Sequence, residues 1–121
     1  MPKQSFVIGR LKSIGYALKG VWLLARSEAS VQVQLGVAVL VTLAGFYFDI
    51  SQTEWMYQFL AMGLVIAVEG LNTAVEKMAD YVQPEHEPKI GVLKDVAAGA
   101  VLVSAFSAAA VGLMIYLPKI F

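Results

Sequence analysis

The stretch Phe59-Leu-Ala-Met-Gly-Leu-Val-Ile-Ala-Val68-Glu69-Gly-Leu-Asn72-Thr73-Ala-Val-Glu76-Lys77-Met-Ala-Asp80 changes character at Glu69. Up to Val68 it is almost pure hydrocarbon. Beyond that, Glu69, Asn72, Thr73, Glu76 and Asp80 fall at i, i+3, i+4, i+7 and i+11, which is one face of an α-helix. A carboxylate near membrane depth costs several kcal/mol, so ionisable groups there are functional candidates. The helix predicted over 54–82 is ~43 Å long at ~1.5 Å per residue, against a hydrocarbon core of ~30 Å. Its polar face therefore belongs where the helix approaches or leaves the membrane.

Composition agrees with a membrane setting. The chain has 121 residues, of which 59% are hydrophobic and 15% charged, with a mean hydropathy of +0.70. Soluble domains average about 45–50% apolar and about 25% charged residues. The length suits a single domain, 1–121, and the absence of cysteine excludes disulfides and thiolate metal sites. Net charge is zero, and no nucleic-acid partner is expected. Five of the nine cations, Lys3, Arg10, Lys12, Lys19 and Arg26, precede Glu28. Basic residues recurring as far as Arg26 do not fit a cleaved signal peptide, so the segment is expected to be retained.

Three spans and one surface helix follow from the pattern. In residues 5–27, Val7, Leu11, Ile14, Leu18, Val21 and Ala25 repeat at steps of four and three, with Lys12, Lys19 and Arg26 to one side. This predicts a basic amphipathic helix lying along a membrane surface. The alternative is an ordinary surface helix of a soluble domain. The first span is predicted at about 31–48, closed by Phe46, Tyr47 and Phe48. After a polar turn at 49–54, Ser51 or Thr53 is placed to cap the helix of 54–82, with Glu54 in its first turn. The run from Gln83 to Lys89, with Pro84 and Pro88, reads as a loop. The third span is predicted at about 91–117, before Pro118, with the small residues Ala100, Ser104, Ala108 and Gly112 spaced for close helix packing. The expected architecture is an all-α membrane protein.

The distribution of Lys and Arg places the N-terminal segment and the 83–95 region in the cytoplasm, and the 49–54 turn outside. Glu28, the polar face and Lys94-Asp95 then share one level. Carboxylates with few cations beside them suit Mg²⁺, which takes one or two of them together with substrate phosphates. Glu28 and Glu76 are the candidate ligands. A further acid at the boundary could act as general base toward a lipid hydroxyl, and Lys94 or Lys12 could hold phosphate charge. The combination describes phosphoryl transfer onto a membrane alcohol. Lys77 points about 100° away from Glu76 and is expected to be solvated or snorkelling. His86 reads as a solvated loop residue. No Walker A sequence or kinase-type glycine loop is present.

Glu69-Gly-Leu-Asn72-Thr73-Ala-Val-Glu76 resembles the E-x-x-N-[ST]-x-x-E signature of the small bacterial membrane lipid kinases, the prokaryotic diacylglycerol kinase and undecaprenol kinase family. The resemblance extends to Asp80, to Lys94-Asp95-Val-Ala-Ala-Gly99, to Gly15-Tyr16 and Lys19-Gly20, and to Ala25-Arg26-Ser27-Glu28. It implies a homotrimer with active sites shared between subunits, ATP as donor and Mg²⁺ as cofactor, in the bacterial inner membrane. Carried over by position, it implies Glu69 as general base and Glu28 and Glu76 as metal ligands. Asn72 would organise the site, with Asp80 nearby. Nucleotide contacts would come from Arg10, Lys12, Tyr16, Lys94 and Asp95, together with Glu28 and Glu76, and His86 is a further position of this kind. Gln32 and Gln34 depart from the family's usual residues. Glu54-Trp55-Met56 and Tyr116-Leu-Pro-Lys119 look closer to the undecaprenol kinase branch, which points to undecaprenol as acceptor, with diacylglycerol as the alternative.

Two other classes make different demands. A channel needs polar lining through the bilayer, whereas here the acids gather at one end of a helix. A non-catalytic adaptor would tolerate changes at Glu69 and Asn72.

Overall fold

A computed structural model of the chain describes residues 5–82 and 87–121. Those residues form four α-helices and no strand: α1 Phe6–Ser27, α2 Ala29–Tyr47, α3 Gln52–Val82 and α4 Pro88–Ile120. The last three are long and apolar enough to cross a membrane. At ~1.5 Å per residue, α3 and α4 exceed a ~30 Å core and α2 just matches it.

The helix ends follow from local chemistry. Ser5 caps α1, its Oγ accepting from the Ile8 N–H. Glu28 alone separates α1 from α2, with an extended backbone that closes the first helix and opens the second. Ser51 and Glu54 cap α3 reciprocally: the Glu54 N–H donates to Ser51 Oγ at 3.1 Å, and the Ser51 N–H to Glu54 Oε1 at 2.9 Å. Between α2 and α3 the chain reverses through Asp49 at φ 50°, a left-handed position that Asp tolerates better than most residues. The Ile50 N–H then bonds back to the Gly45 carbonyl, and the Ile50 side chain is buried.

Helix α4 runs past both ends expected from sequence. Pro88, read as loop punctuation, stands at the helix start, where its missing N–H is not needed, and Glu87 caps it by accepting from the Lys89 N–H. Pro118 does not stop the helix either. It falls in the last turn, where the lost bond is one of few remaining, and Lys119 Nζ donates to the Ile115 carbonyl.

Helix α3 packs mainly on α4 and less on α2, and α1 leans on α2. The interior is thin: Val31, Ile50, Val65, Ala79 and Ile115 are its buried apolar residues. Most large apolar side chains of the spans face outward, Phe59 and Phe106 among them. Lipid or further protein must cover that surface.

The turn end of the bundle is tied by polar groups. Gln58, only 6% exposed, donates from Nε2 to the Val41 carbonyl at 3.0 Å. Its Oε1 accepts from the Tyr116 hydroxyl at 2.5 Å. Lys119 Nζ donates to Glu54 Oε2 at 2.7 Å. Trp55 stacks against Phe46 with centroids 4.9 Å apart and lies across Gly45, where a Cβ would come within 2.5 Å of the indole. Trp55 is therefore a packing residue between α2 and α3.

Candidate functional site

The polar face of α3 lies at the opposite end of that helix. Glu69 is 6% exposed, and Thr73 and Ala79 are also buried, whereas Glu76 and Asp80 are exposed. The difference is one of helix face, since Ala79 is still buried beside exposed Asp80. Among the described residues no side-chain hydrogen bond or ion pair reaches the Glu69 carboxyl group. One turn on, Asn72 Nδ2 donates to Glu76 Oε1 at 3.3 Å. That bond turns the Asn72 carbonyl inward, where Oδ1 is buried without a partner among the described residues. A buried acceptor left unmade costs about 1–3 kcal/mol. The face therefore holds two acceptors, Glu69 and Asn72 Oδ1, ready for a donor or a cation.

Two ion pairs bring the neighbouring elements to this face. Lys94 Nζ on α4 lies 2.5 Å from Asp80 Oδ1. Lys77 Nζ lies 3.4 Å from Glu28 Oε1, joining α3 to the elbow between α1 and α2. The Lys77 side chain stays largely in solvent, as its helical direction suggested, and its long stem lets the ammonium reach the elbow from the flank of α3. The elbow itself is fixed by Gln32, whose Nε2 donates to the Ala25 and Arg26 carbonyls at 3.2 and 2.9 Å. Sequence reasoning left Gln32 without a role; it caps the end of α1 and so sets the position of Glu28. Gln34 makes no such contact among the described residues.

Glu28, Glu69, Asn72, Glu76, Asp80 and Lys94 are gathered at one end of the bundle, with Asp95 exposed beside Lys94 on α4. Arg10, Lys12 and Tyr16 are not tied to them. All three are exposed on α1, Tyr16 by 75%, and Arg10 rests over the Phe6 ring at 5.7 Å. Among the described residues no hydrogen bond or ion pair links them to α3. His86 lies outside the described residues. Leu24 of α1 does approach α3, and a Cβ on Gly70 would come within 2.9 Å of its Cδ1. Beside this contact runs an apolar groove of ≈ 510 Å³ bordered by Val21, Val31, Gly63, Ala67 and Gly70.

The donor set can be weighed against Mg²⁺. Among the described residues, no three Asp, Glu or His groups converge as a metal cage. Mg²⁺ does not need one, because it commonly takes one or two carboxylates and completes its octahedron with phosphate oxygens and water. The unpartnered Asn72 Oδ1 next to Glu76 is a hard oxygen of the right kind. The residues fit a half-site for Mg²⁺ that a nucleotide would complete.

Residues 15–116 match the family model for prokaryotic diacylglycerol kinase. The chain belongs to that family. It is 40% identical over 109 residues to the undecaprenol kinase of Bacillus subtilis, covering 90% of this chain and 89% of that one. It is 32% identical over 95 residues to the diacylglycerol kinase of Escherichia coli, covering 78% and 77%. The diacylglycerol kinase of Pseudomonas aeruginosa is 30% identical over 94 residues, covering 78% and 76%. The matched range takes in α2, α3, most of α1 and α4, and every residue of the polar face. The chain is a lipid kinase, and its three apolar helices suit a multi-pass membrane protein.

Proposed function

We propose that this kinase transfers the γ-phosphoryl group of ATP, with Mg²⁺, to the hydroxyl of undecaprenol, giving undecaprenyl phosphate and ADP. The observation that carries the reading is Glu69, a buried residue whose carboxyl group has no hydrogen-bond partner among the described residues, one turn from the Asn72 carbonyl, buried and likewise without one. Undecaprenol is favoured over diacylglycerol by the higher identity and fuller coverage of the Bacillus subtilis enzyme.

Glu69 accepts the proton of the lipid hydroxyl as the oxygen attacks phosphorus, which is general-base work. Burial holds it at the lipid boundary, away from competing water. Asn72 orients Glu76 through its amide and offers its own oxygen toward the site. Glu28 and Glu76 would hold Mg²⁺, which when bound neutralises phosphate charge. Lys94 and Asp95 face the nucleotide, with Asp80 keeping the Lys94 ammonium in place. The apolar groove beside Gly70 would hold the first part of the lipid tail, with the hydroxyl at Glu69.

We further propose a homotrimer with shared sites, in which a single catalytic domain spans the bacterial inner membrane with its N-terminus in the cytoplasm. Sharing accounts for two features of one chain: outward apolar faces on its spans, and Arg10, Lys12 and Tyr16 held apart from α3. A neighbouring subunit would bring those three to the nucleotide.

The test is transfer of radiolabelled phosphate from ATP to undecaprenol and diacylglycerol offered side by side in mixed micelles. Faster labelling of undecaprenol is expected. Preference for diacylglycerol would reassign the acceptor, and labelling of neither lipid would overturn the reading.

A further inference from the structure

Lys77 has no part in the chemistry above, yet it sits on one of the residues that does. Its side chain is 71% exposed, while that of Glu28 is 25% exposed. An exposed lysine gains little from staying near a surface acid, because screening and side-chain entropy offset most of the attraction. The consequence lies with Glu28. Its carboxylate caps neither helix of the elbow, and among the described residues no other cation comes within ion-pair distance of it. Glu76 differs: its partner is the neutral amide of Asn72. Of the two carboxylates read as metal ligands, one is therefore already occupied by a positive charge.

We propose that Lys77 is a built-in counter-ion to Glu28 that competes with the divalent cation for this carboxylate and holds it in position until metal and nucleotide arrive together. The inference rests on the reading of Glu28 as a metal ligand. A metal approaching Glu28 must displace the ammonium or bind beside a like charge, and either weakens binding of the bare cation. When the nucleotide is present, its phosphates offer the released ammonium another anionic partner, so the competition falls mainly on metal without nucleotide. Lys77 thereby couples metal binding to nucleotide binding. It is a positioning residue, acting through Glu28.

Mn²⁺ titration of the purified full-length protein in detergent, followed by the electron paramagnetic resonance signal of free Mn²⁺, tests this without nucleotide or turnover. Lys77→Met should tighten Mn²⁺ binding about two- to fivefold, the range set by an exposed ion pair. Lys77→Glu should tighten it further, and Lys77→Arg should leave it within about twofold of the parent protein. Circular dichroism identifies any variant that fails to fold, and the three substitutions check one another. Glu28→Gln should weaken Mn²⁺ binding, and in that background Lys77→Met should lose most of its gain. If Lys77→Met leaves affinity unchanged or lowers it while Glu28→Gln weakens binding, the counter-ion role is overturned and the metal-ligand reading stands. An equal gain from Lys77→Met with and without Glu28 also overturns it, since the lysine would then act by general repulsion. If Glu28→Gln leaves Mn²⁺ affinity unchanged, the metal-ligand reading fails and the counter-ion role with it.

Discussion

Gln58 and Glu69 stand on the same helix and are equally buried, each 6% exposed, yet their surroundings differ. Gln58 uses both amide atoms, giving to the Val41 carbonyl and accepting from Tyr116. Glu69 is met by no hydrogen bond among the described residues, and Asn72 beside it has a buried oxygen without a partner. One end of the bundle satisfies its polar groups internally; the other keeps them available. A satisfied buried network rigidifies, while an unsatisfied one lowers stability unless a ligand completes it. The turn end thus fixes how α2, α3 and α4 meet, and the Glu69 end holds the groups proposed for the chemistry.

The sharpest way to break this contrast is Glu69→Gln. Loss of a general base should lower lipid phosphorylation by about 10²–10⁴-fold while thermal stability in detergent stays near that of the parent protein. A variant keeping parental turnover would remove Glu69 from the chemistry. The converse experiment is Gly45→Ala at the turn end. Its Cβ would meet the Trp55 ring, so a destabilisation of about 1–3 kcal/mol is expected by thermal denaturation, with kcat of the folded fraction unchanged. Loss of kcat without loss of stability would show that the two ends are not separable.

Smaller effects sharpen the same division. Tyr116→Phe removes the donor to Gln58 Oε1, leaving a buried acceptor, and should cost about 1–2 kcal/mol. Asn72→Leu should go the other way in stability, neutral or slightly stabilising, because it deletes an acceptor that had no partner, while activity is lost. If Asn72→Leu destabilises as much as Tyr116→Phe, Asn72 is structural and the contrast fails. The smallest difference concerns the ion pairs. A double-mutant cycle on Asp80 and Lys94, an exposed pair, should give about 0.2–1 kcal/mol and fall with salt. The more enclosed Glu54–Lys119 pair should couple more strongly and respond less to salt.

The candidate site was more legible than the clamp opposite it. Glu69, Asn72 and Glu76 break a hydrocarbon run at helical spacing, and such a break has few causes in a membrane setting. Gln58 gave the same kind of signal, one turn after Glu54, with Tyr116 and Lys119 one turn apart on α4. Periodicity could not say that these two polar pairs face each other, because that depends on the register of α3 against α4. The roles of Gln32 and Lys77 were hidden for a related reason. Both act across the elbow at Glu28, and the reach of a long side chain around a bend is not contained in helical spacing. Pro88 and Pro118 were over-read as helix limits, since proline is tolerated in a first turn and in a frayed last turn.

By itself the sequence determined four helices in order, three of them apolar enough to span, and a polar face whose residues must lie together on α3. Those features depend only on composition and on the 3.6-residue period, which are local. The tertiary structure decided what each polar group touches. Among the described residues it left Glu69 and Asn72 Oδ1 unpartnered, and it tied Asp80 to Lys94 and Glu28 to Lys77. Partners of this kind are set by helix register, by the angle at a one-residue elbow and by side-chain reach, none of which a single helix specifies.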